Sequence, residues 1–273
     1  MIWSYSAPTT DRHDVAALKL ANPASWISEA DLERQAANPE LTDAAVLQLH
    51  GCVWAARSSS WLPAVAWEAL ESPYREPPQD APIVVFFDGA EHRDGTCAVG
   101  CTIPQAEGEK PHLFRVFAHE KPERAHDWTV DRDAVHRDVR RLFERWDVYE
   151  LACDPHGWQT DIDQWSDDYG NAVFFFDTRL SAFGVALDDF YAAVVNDDVT
   201  HGGDPRFAAH LMNAVYSTTA RGSRINKDHP DSPRKIDLAV CAARALSRAR
   251  FQADSNSREY VLDTRNLDAG VPR

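Results

Sequence analysis

No stretch of the sequence approaches the roughly 18 to 20 uninterrupted apolar residues that a membrane-crossing helix needs. The opening residues MIWSYSAPTTDRHD also lack the charged-then-apolar order of a signal peptide. A cytoplasmic protein with no membrane partner is the expectation. Cysteine is scarce: Cys52, Cys97, Cys101, Cys153 and Cys241 form an odd, scattered set with no C-x-x-C spacing. Neither a zinc site nor a disulfide framework is signalled, and the five read as buried thiols. Positive charge is in short supply, with 28 Lys and Arg against 43 Asp and Glu and a net charge of −15. That balance argues against a general coat for nucleic acid, which would need cations facing phosphates. No G-x-x-x-x-G-K-[ST] phosphate loop occurs, so ATP-driven work is not expected of this chain itself. Recognition helices, zinc fingers, internal repeats and low-complexity tracts are likewise missing.

What is present suits a globular fold. The 273 residues are 44% hydrophobic and 10% aromatic, enough for one large domain or two modest ones without staples. Residues 1–75 are acidic and Trp-rich, with predicted helices at Ser28–Ala37, capped by Ser28 with Asp31 three residues on, and at Thr42–Ala55. The prolines of REPPQDAP (Arg75–Pro82) break any helix, and a boundary is placed there. The pattern then changes. Ile83–Phe87, Thr96–Thr102 and His112–Ala118 read as three strands of an antiparallel meander separated by turn-rich segments. A helix between Asp131 and Asp147 is expected to bury Ala134, Val135, Val139, Leu142, Phe143 and Trp146 on one face. Strand Tyr149–Cys153, helix His156–Tyr169, strand Ala172–Phe176 and helix Leu180–Val195 follow, and a last helix spans Lys235–Arg250. The sum is an α/β domain over 76–251, a mixed sheet with helices on its faces, followed by a polar tail at 252–273.

Three aspartates stand out by position. Asp88 ends the apolar strand IVVFFD, Asp154 ends YELACD, and Asp237 opens the helix RKIDLAVCAARAL. Taken singly, each is explained by turn and capping preferences. Jointly, carboxylates converging beside an apolar core call for a partner, and a hard divalent cation, Mg²⁺ or Mn²⁺, fits three oxygen ligands with open positions.

The order of these segments is that of the RNase H-like fold. Within it the chain resembles the C-terminal nuclease domain of tailed-bacteriophage large terminases. The marks are VVFFDGAEHRDGTCAVGCT, YELACDPHGWQTDIDQW, THGGDPRFAAHLMNAV and PRKIDLAVCAARAL. Upstream, ANPASWISEADLERQAANPELTDAAVLQLHGCVWAA with Trp61 and Trp67 looks like the linker after the packaging ATPase, so residues 1–75 are expected to form a helical arm. The marks span Ala21–Leu246. The resemblance implies metal-dependent endonucleolytic hydrolysis of concatemeric double-stranded DNA. Two cations roughly 3.5 to 4 Å apart would be held by Asp88, Asp154 and Asp237, one activating water and one stabilising the leaving oxygen. His210, Asn213 and Lys227 fall in a stretch near such sites, and Lys227 or Lys235 would offset charge in the transition state. With no phosphate loop the chain looks like the nuclease portion alone, so an ATPase domain or motor chain, a small terminase subunit and a portal are the implied partners, in the host cytoplasm.

Between Arg221 and Arg250 eight Lys and Arg face three Asp, and this strip, with Arg221, Arg224, Lys227, Arg234 and Lys235, is the candidate DNA contact. A solvated helix face and loop would have the same composition. His112, His119, His126 and His136, and His92 with Asp94, read as structural, and His156 ranks below the aspartates. The nine tryptophans read mostly as core or packing residues, and Trp3, Trp26, Trp54, Trp61 and Trp67, concentrated before the boundary, suggest that the N-terminal segment packs as an arm on the nuclease core or on an absent neighbour. Two other readings stand: a different RNase H-like nuclease of the resolvase or exonuclease type, and a non-catalytic packaging module whose aspartates only cap helices.

Overall fold

The run Ile83–Phe87 becomes the middle of a sheet because its residues are buried on both faces, as a strand without alternating polarity must be. We describe a computed structural model of the chain over residues 5–9, 11–38, 41, 43–53, 61–90, 95–122, 127–176, 180–219, 222–229 and 232–267. The chain divides into two compact units, Met1–Ser60 and Trp61–Arg273.

The first unit holds α1 (Val15–Ala21), α2 (Glu29–Ala36) and α3 (Asp43–His50). Leu18, Leu32, Val46 and Leu47 form its small core. Ser28 and Asp31 complete the expected capping box of α2, each side chain serving the other's backbone amide. Arg12 donates to the carbonyls of Ala36, Asn38 and Leu41, closing the C-terminal end of α2, where carbonyls lack helical partners.

The second unit begins with α4 (Ala64–Glu68), then β1 (Pro82–Asp88), β2 (Thr96–Thr102), β3 (His112–His119), α5 (Arg132–Arg145), β4 (Asp147–Cys153), α6 (Gln159–Tyr169), β5 (Val173–Phe175), α7 (Leu180–Val195), β6 (Thr200–His201), α8 (Pro205–Asn213), β7 (Val215–Thr219), β8 (Gly222–Asn226) and α9 (Asp237–Leu267). Six strands form one mixed sheet in the order β5-β4-β1-β2-β3-β6, and β7 with β8 forms a separate hairpin. β1, β2 and β3 are the antiparallel meander, while β4 joins β1 in parallel and β5 joins β4 in parallel. This is the RNase H-like α/β arrangement. One sheet face, carrying Val84, Phe86, Cys97, Val99 and Ala152, packs under α7 and the first half of α9. The other, carrying Ile83, Val85, Phe87, Leu151 and Cys153, packs on α5 and α6. Among the described residues no helix is long and apolar enough to cross a membrane.

Several sequence expectations need correction. The proline segment at 75–82 is no unit boundary: compaction divides after Ser60, and α4 precedes β1 inside the second unit. Trp61 and Trp67 therefore belong to the second unit. Both are buried against Phe190 of α7, and the Trp61 amide donates to the Ala214 carbonyl. Trp26 is 82% exposed rather than packed, and Trp3 and Trp54 lie outside the described residues. The last helix does not stop near Arg250 with a frayed tail beyond but continues to Leu267. Helix α6 starts at Gln159 rather than His156, because Gly157 takes a positive φ of 74° that a helix interior excludes.

Candidate functional site

Strand register sets two of the three aspartates side by side, and the third opens the helix that packs on the neighbouring strand. Phe87 and Cys153 are paired across the parallel strands β1 and β4, so the next residue on each is Asp88 and Asp154. The Asp154 amide donates to the Phe87 carbonyl at 3.0 Å, which keeps the chains level there. Adjacent strands lie about 4.8 Å apart, and residues two apart share a face. Asp88 thus follows Val84 and Phe86, and Asp154 follows Ala152, onto the face covered by α9. The Asp154 carboxylate is further fixed by accepting the His156 amide at 3.0 Å, a local turn that side chains of this length favour.

Asp237 arrives from the other direction. Cys241 lies one turn after it on α9, and the Cys241 Sγ is 3.6 Å from the Sγ of Cys97. Cys97 is in turn the β2 partner of Asp88. The thiol pair is therefore flanked by Asp88 on the strand side and Asp237 on the helix side. Electrostatics report the same convergence. The Cys97 thiol is held well above its usual range first by its hydrogen bond with Cys241 and by burial, then by the charges of Asp237 and Asp88. Burial leads in raising Cys241, with Asp88 and Asp237 adding to it, and burial followed by Asp154 raises Cys153. These cysteines are inert packing behind the carboxylates, because burial and the neighbouring acids outweigh the nearby Arg244 and keep the thiols protonated.

Two glycines make room at this edge. A Cβ on Gly89, directly after Asp88, would overlap the indole of Trp158. At Gly95 it would stand 3.2 Å from Cγ of Glu120 and 3.5 Å from Oδ2 of Asp237, so these two acidic side chains share one small space. Glu120, just past β3, was not among the expected site residues because it sits in the polar string HEKPER, which carries no periodicity. Its carboxyl is held below the usual range, first by the adjacent His210 imidazole, against burial, and then by the charges of Arg206 and Lys235.

Of the remaining candidates, Lys235 thus belongs to the aspartate edge. Lys227 follows the Val215 and Asn226 pair at the base of the hairpin, and Arg224 is exposed on β8 with its Nε 3.4 Å from Ser217 Oγ. Arg234 is exposed and lies 3.5 Å from Asp228. Arg221 lies outside the described residues, as do His126, His92 and Asp94. The strip itself needs revising. Arg244 is buried over the rings of Phe86, Phe176 and Phe183, and Arg248 is drawn onto Glu150 of β4. Neither faces solvent as a DNA contact would. His112, His119 and His136 pair with Thr200, Asp138 and Asp161, and His156 is exposed.

Three carboxylates and no exposed soft donor fit a hard divalent cation in kind. Among the described residues no group of three or more His, Cys, Asp or Glu side chains is placed to hold a metal ion.

The HK97 bacteriophage large terminase matches 89% of this chain and 56% of its own, with a TM-score of 0.56 and 21% sequence identity. The chain shares the fold of the matched part of that protein. In sequence it is 30% identical to the Gene 13 protein of Mycobacterium phage D29 over 176 residues, and 29% identical to that of Mycobacterium phage L5. Each match covers 60% of this chain and 28% of the relative, so the chain aligns with less than a third of either protein's length. No family model matches the sequence.

Proposed function

We propose that this chain is the nuclease portion of a phage genome-packaging terminase, a metal-dependent endonuclease that hydrolyses phosphodiester bonds of concatemeric double-stranded DNA in the host cytoplasm. The observation that carries this reading is the level register of Asp88 and Asp154 on adjacent parallel strands, with Asp237 brought beside them through the Cys97 and Cys241 contact. The terminase fold and the phage relatives support it.

The ligands in this proposal are Asp88, Asp154 and Asp237, with Asp88 central because its strand lies between the β4 and β2 sides of the site. Two Mg²⁺ or Mn²⁺ ions, when bound, supply a nucleophilic hydroxide at neutral pH and charge neutralisation at the leaving oxygen. The chain's own part is to hold carboxylate oxygens fixed at one sheet edge and to keep the floor of the site dry with Phe86, Cys97 and Cys241. Lys235, whose charge already bears on Glu120, is placed to attract a phosphate, and Lys227 and Arg224 on the hairpin extend the contact. With a net charge of −15, DNA affinity from this chain alone is modest and falls steeply with salt. The ATPase motor, small subunit and portal are the partners that would hold DNA in place.

The test is supercoiled plasmid incubated with Mg²⁺ or Mn²⁺ against EDTA, beside Asp88→Asn. Nicking or linearisation that needs the cation and falls at least about 100-fold in the variant is expected, since a ligand substitution removes stabilisation of the transition state. Equal activity in Asp88→Asn would reject the assignment.

A further inference from the structure

Helix α9, which delivers Asp237, begins without a cap of its own. The first-turn amides of any helix need acceptors from outside the helical ladder. In α1, α2, α5 and α8 a preceding side chain, Asp14, Ser28, Asp131 or Asp204, supplies one. The residue before Asp237 is Ile236, whose side chain has no acceptor. The acceptor comes instead from another helix: Nδ1 of His210 on α8 takes the Leu238 amide at 3.1 Å. Three residues further along α8, Asn213 donates from Nδ2 to the Lys235 carbonyl at 3.1 Å. Residues three apart lie on one helix face. The two bonds therefore bracket Asp237, one two residues before it and one directly after it.

The imidazole is itself oriented. A ring that accepts at Nδ1 carries its proton on Nε2. That nitrogen lies 3.1 Å from Oε1 of Glu120, and His210 is only 3% exposed. Glu120 in turn shares the space beside Gly95 with Asp237 Oδ2. The end of β3 is thereby joined to α8 by the Glu120–His210 contact, and α8 to the start of α9 by the two hydrogen bonds.

We propose that His210 and Asn213 form a clamp that fixes the start of α9 and so positions Asp237, with Glu120 setting the tautomer of His210. The part of this that concerns cation binding rests on the nuclease reading. None of the three touches substrate; they are positioning residues, and their removal weakens cation binding rather than the chemistry of the occupied site.

The test uses the full chain with His210→Ala, His210→Asn and Asn213→Ala. Asn places an acceptor oxygen near the position of Nδ1 and acts as the conservative rescue. Three quantities are read: amide exchange at Leu238 and Ala239, Mn²⁺ affinity by calorimetry, and the Mg²⁺ concentration that half-saturates plasmid cleavage. In His210→Ala the Leu238 amide is expected to lose protection and the Mn²⁺ dissociation constant and Mg²⁺ half-saturation to rise about tenfold, the size typical of outer-sphere losses. The cleavage rate at saturating Mg²⁺ should stay within about twofold, the signature of lost binding without lost transition-state contact. His210→Asn should recover most of the exchange protection and affinity, and Asn213→Ala should show the same pattern if His210→Ala fails to fold. Unchanged exchange at Leu238, lost protection with unchanged Mn²⁺ affinity, or an Asn variant as impaired as Ala would overturn the clamp. A wild-type chain that neither binds Mn²⁺ nor cleaves would reject the nuclease reading, and the Leu238 exchange would then decide the clamp by itself.

Discussion

Gly89 shows how a single missing side chain holds two halves of the site together. It follows Asp88, and the indole of Trp158, from the loop after Asp154, occupies the volume its Cβ would fill. Trp158 is fully buried, stacks edge-on against Phe87, and carries the guanidinium of Arg132 at 4.3 Å from its centroid. Arg132 also reaches the Gly157 carbonyl and Asp161, so the loop is tied down on its outer side. Gly89→Ala should cost about 2 kcal/mol, the usual scale for overpacking a core. Denaturant titration checks this, and cation-dependent cleavage should fall together with stability because Asp88 and the Asp154 loop are displaced jointly. A variant as stable as the parent would show that the indole moves aside freely. At this scale the aspartates were legible, since a carboxylate closing an apolar strand has few bland explanations once two occur on adjacent strands. Glu120 was not, because nothing local separates it from its charged neighbours. His210 and Asn213 could be noticed, but their role depends on where α8 meets α9, which no spacing within either segment reveals.

At the scale of elements, α9 ties the aspartate edge to the rest of the sheet. Its apolar residues Leu238, Ala239, Ala242, Ala245 and Leu246 lie on β1 and β2, and two turns on it carries Arg248. Arg248 Nε donates to Glu150 Oε2 at 2.6 Å, and Gln252 also bonds Glu150, which is 6% exposed on β4. Glu150 and Asp154 lie on the same face of β4, four residues apart, so this clasp sets the helix over the strand that ends in the second aspartate. Removing one partner of a buried pair strands the other charge, and Glu150→Ala should cost about 3 kcal/mol or more. Glu150→Leu combined with Arg248→Met should recover most of that loss, because two apolar groups leave no buried charge. Thermal unfolding of the two variants decides, and equal losses would show the clasp is not acting as a coupled pair. The meander, β4 and α5 were readable because their apolar runs or 3.6-residue periodicity are strong. Helix α8 and the hairpin of VYSTT and GSRIN were not read as elements, since short polar segments owe their shape to what they pack against. The reach of α9 past Arg250 was missed for a related reason: its polar C-terminal half lacks a continuous apolar stripe.

Over the whole molecule, the break between the two compact units falls after Ser60 rather than at the prolines, because Trp61, Leu62 and Trp67 belong to the core of the second unit with Phe190 of α7. Charge is redistributed too. The excess of cations between Arg221 and Arg250 looked like one DNA-facing strip, yet Arg244 and Arg248 are spent inside the fold, leaving the hairpin and the segment before α9 as the basic surface. In the proposed function, Lys235, two residues before Asp237, links that surface to the aspartates. The most direct examination of this arrangement is anomalous X-ray scattering from crystals of the chain soaked in Mn²⁺. Manganese density among the carboxylates of Asp88, Asp154 and Asp237, lost in Asp88→Asn crystals, is the expected result. Density confined to other surface acids, or none at all at saturating Mn²⁺, would contradict the assignment of these three aspartates as the cation-binding centre.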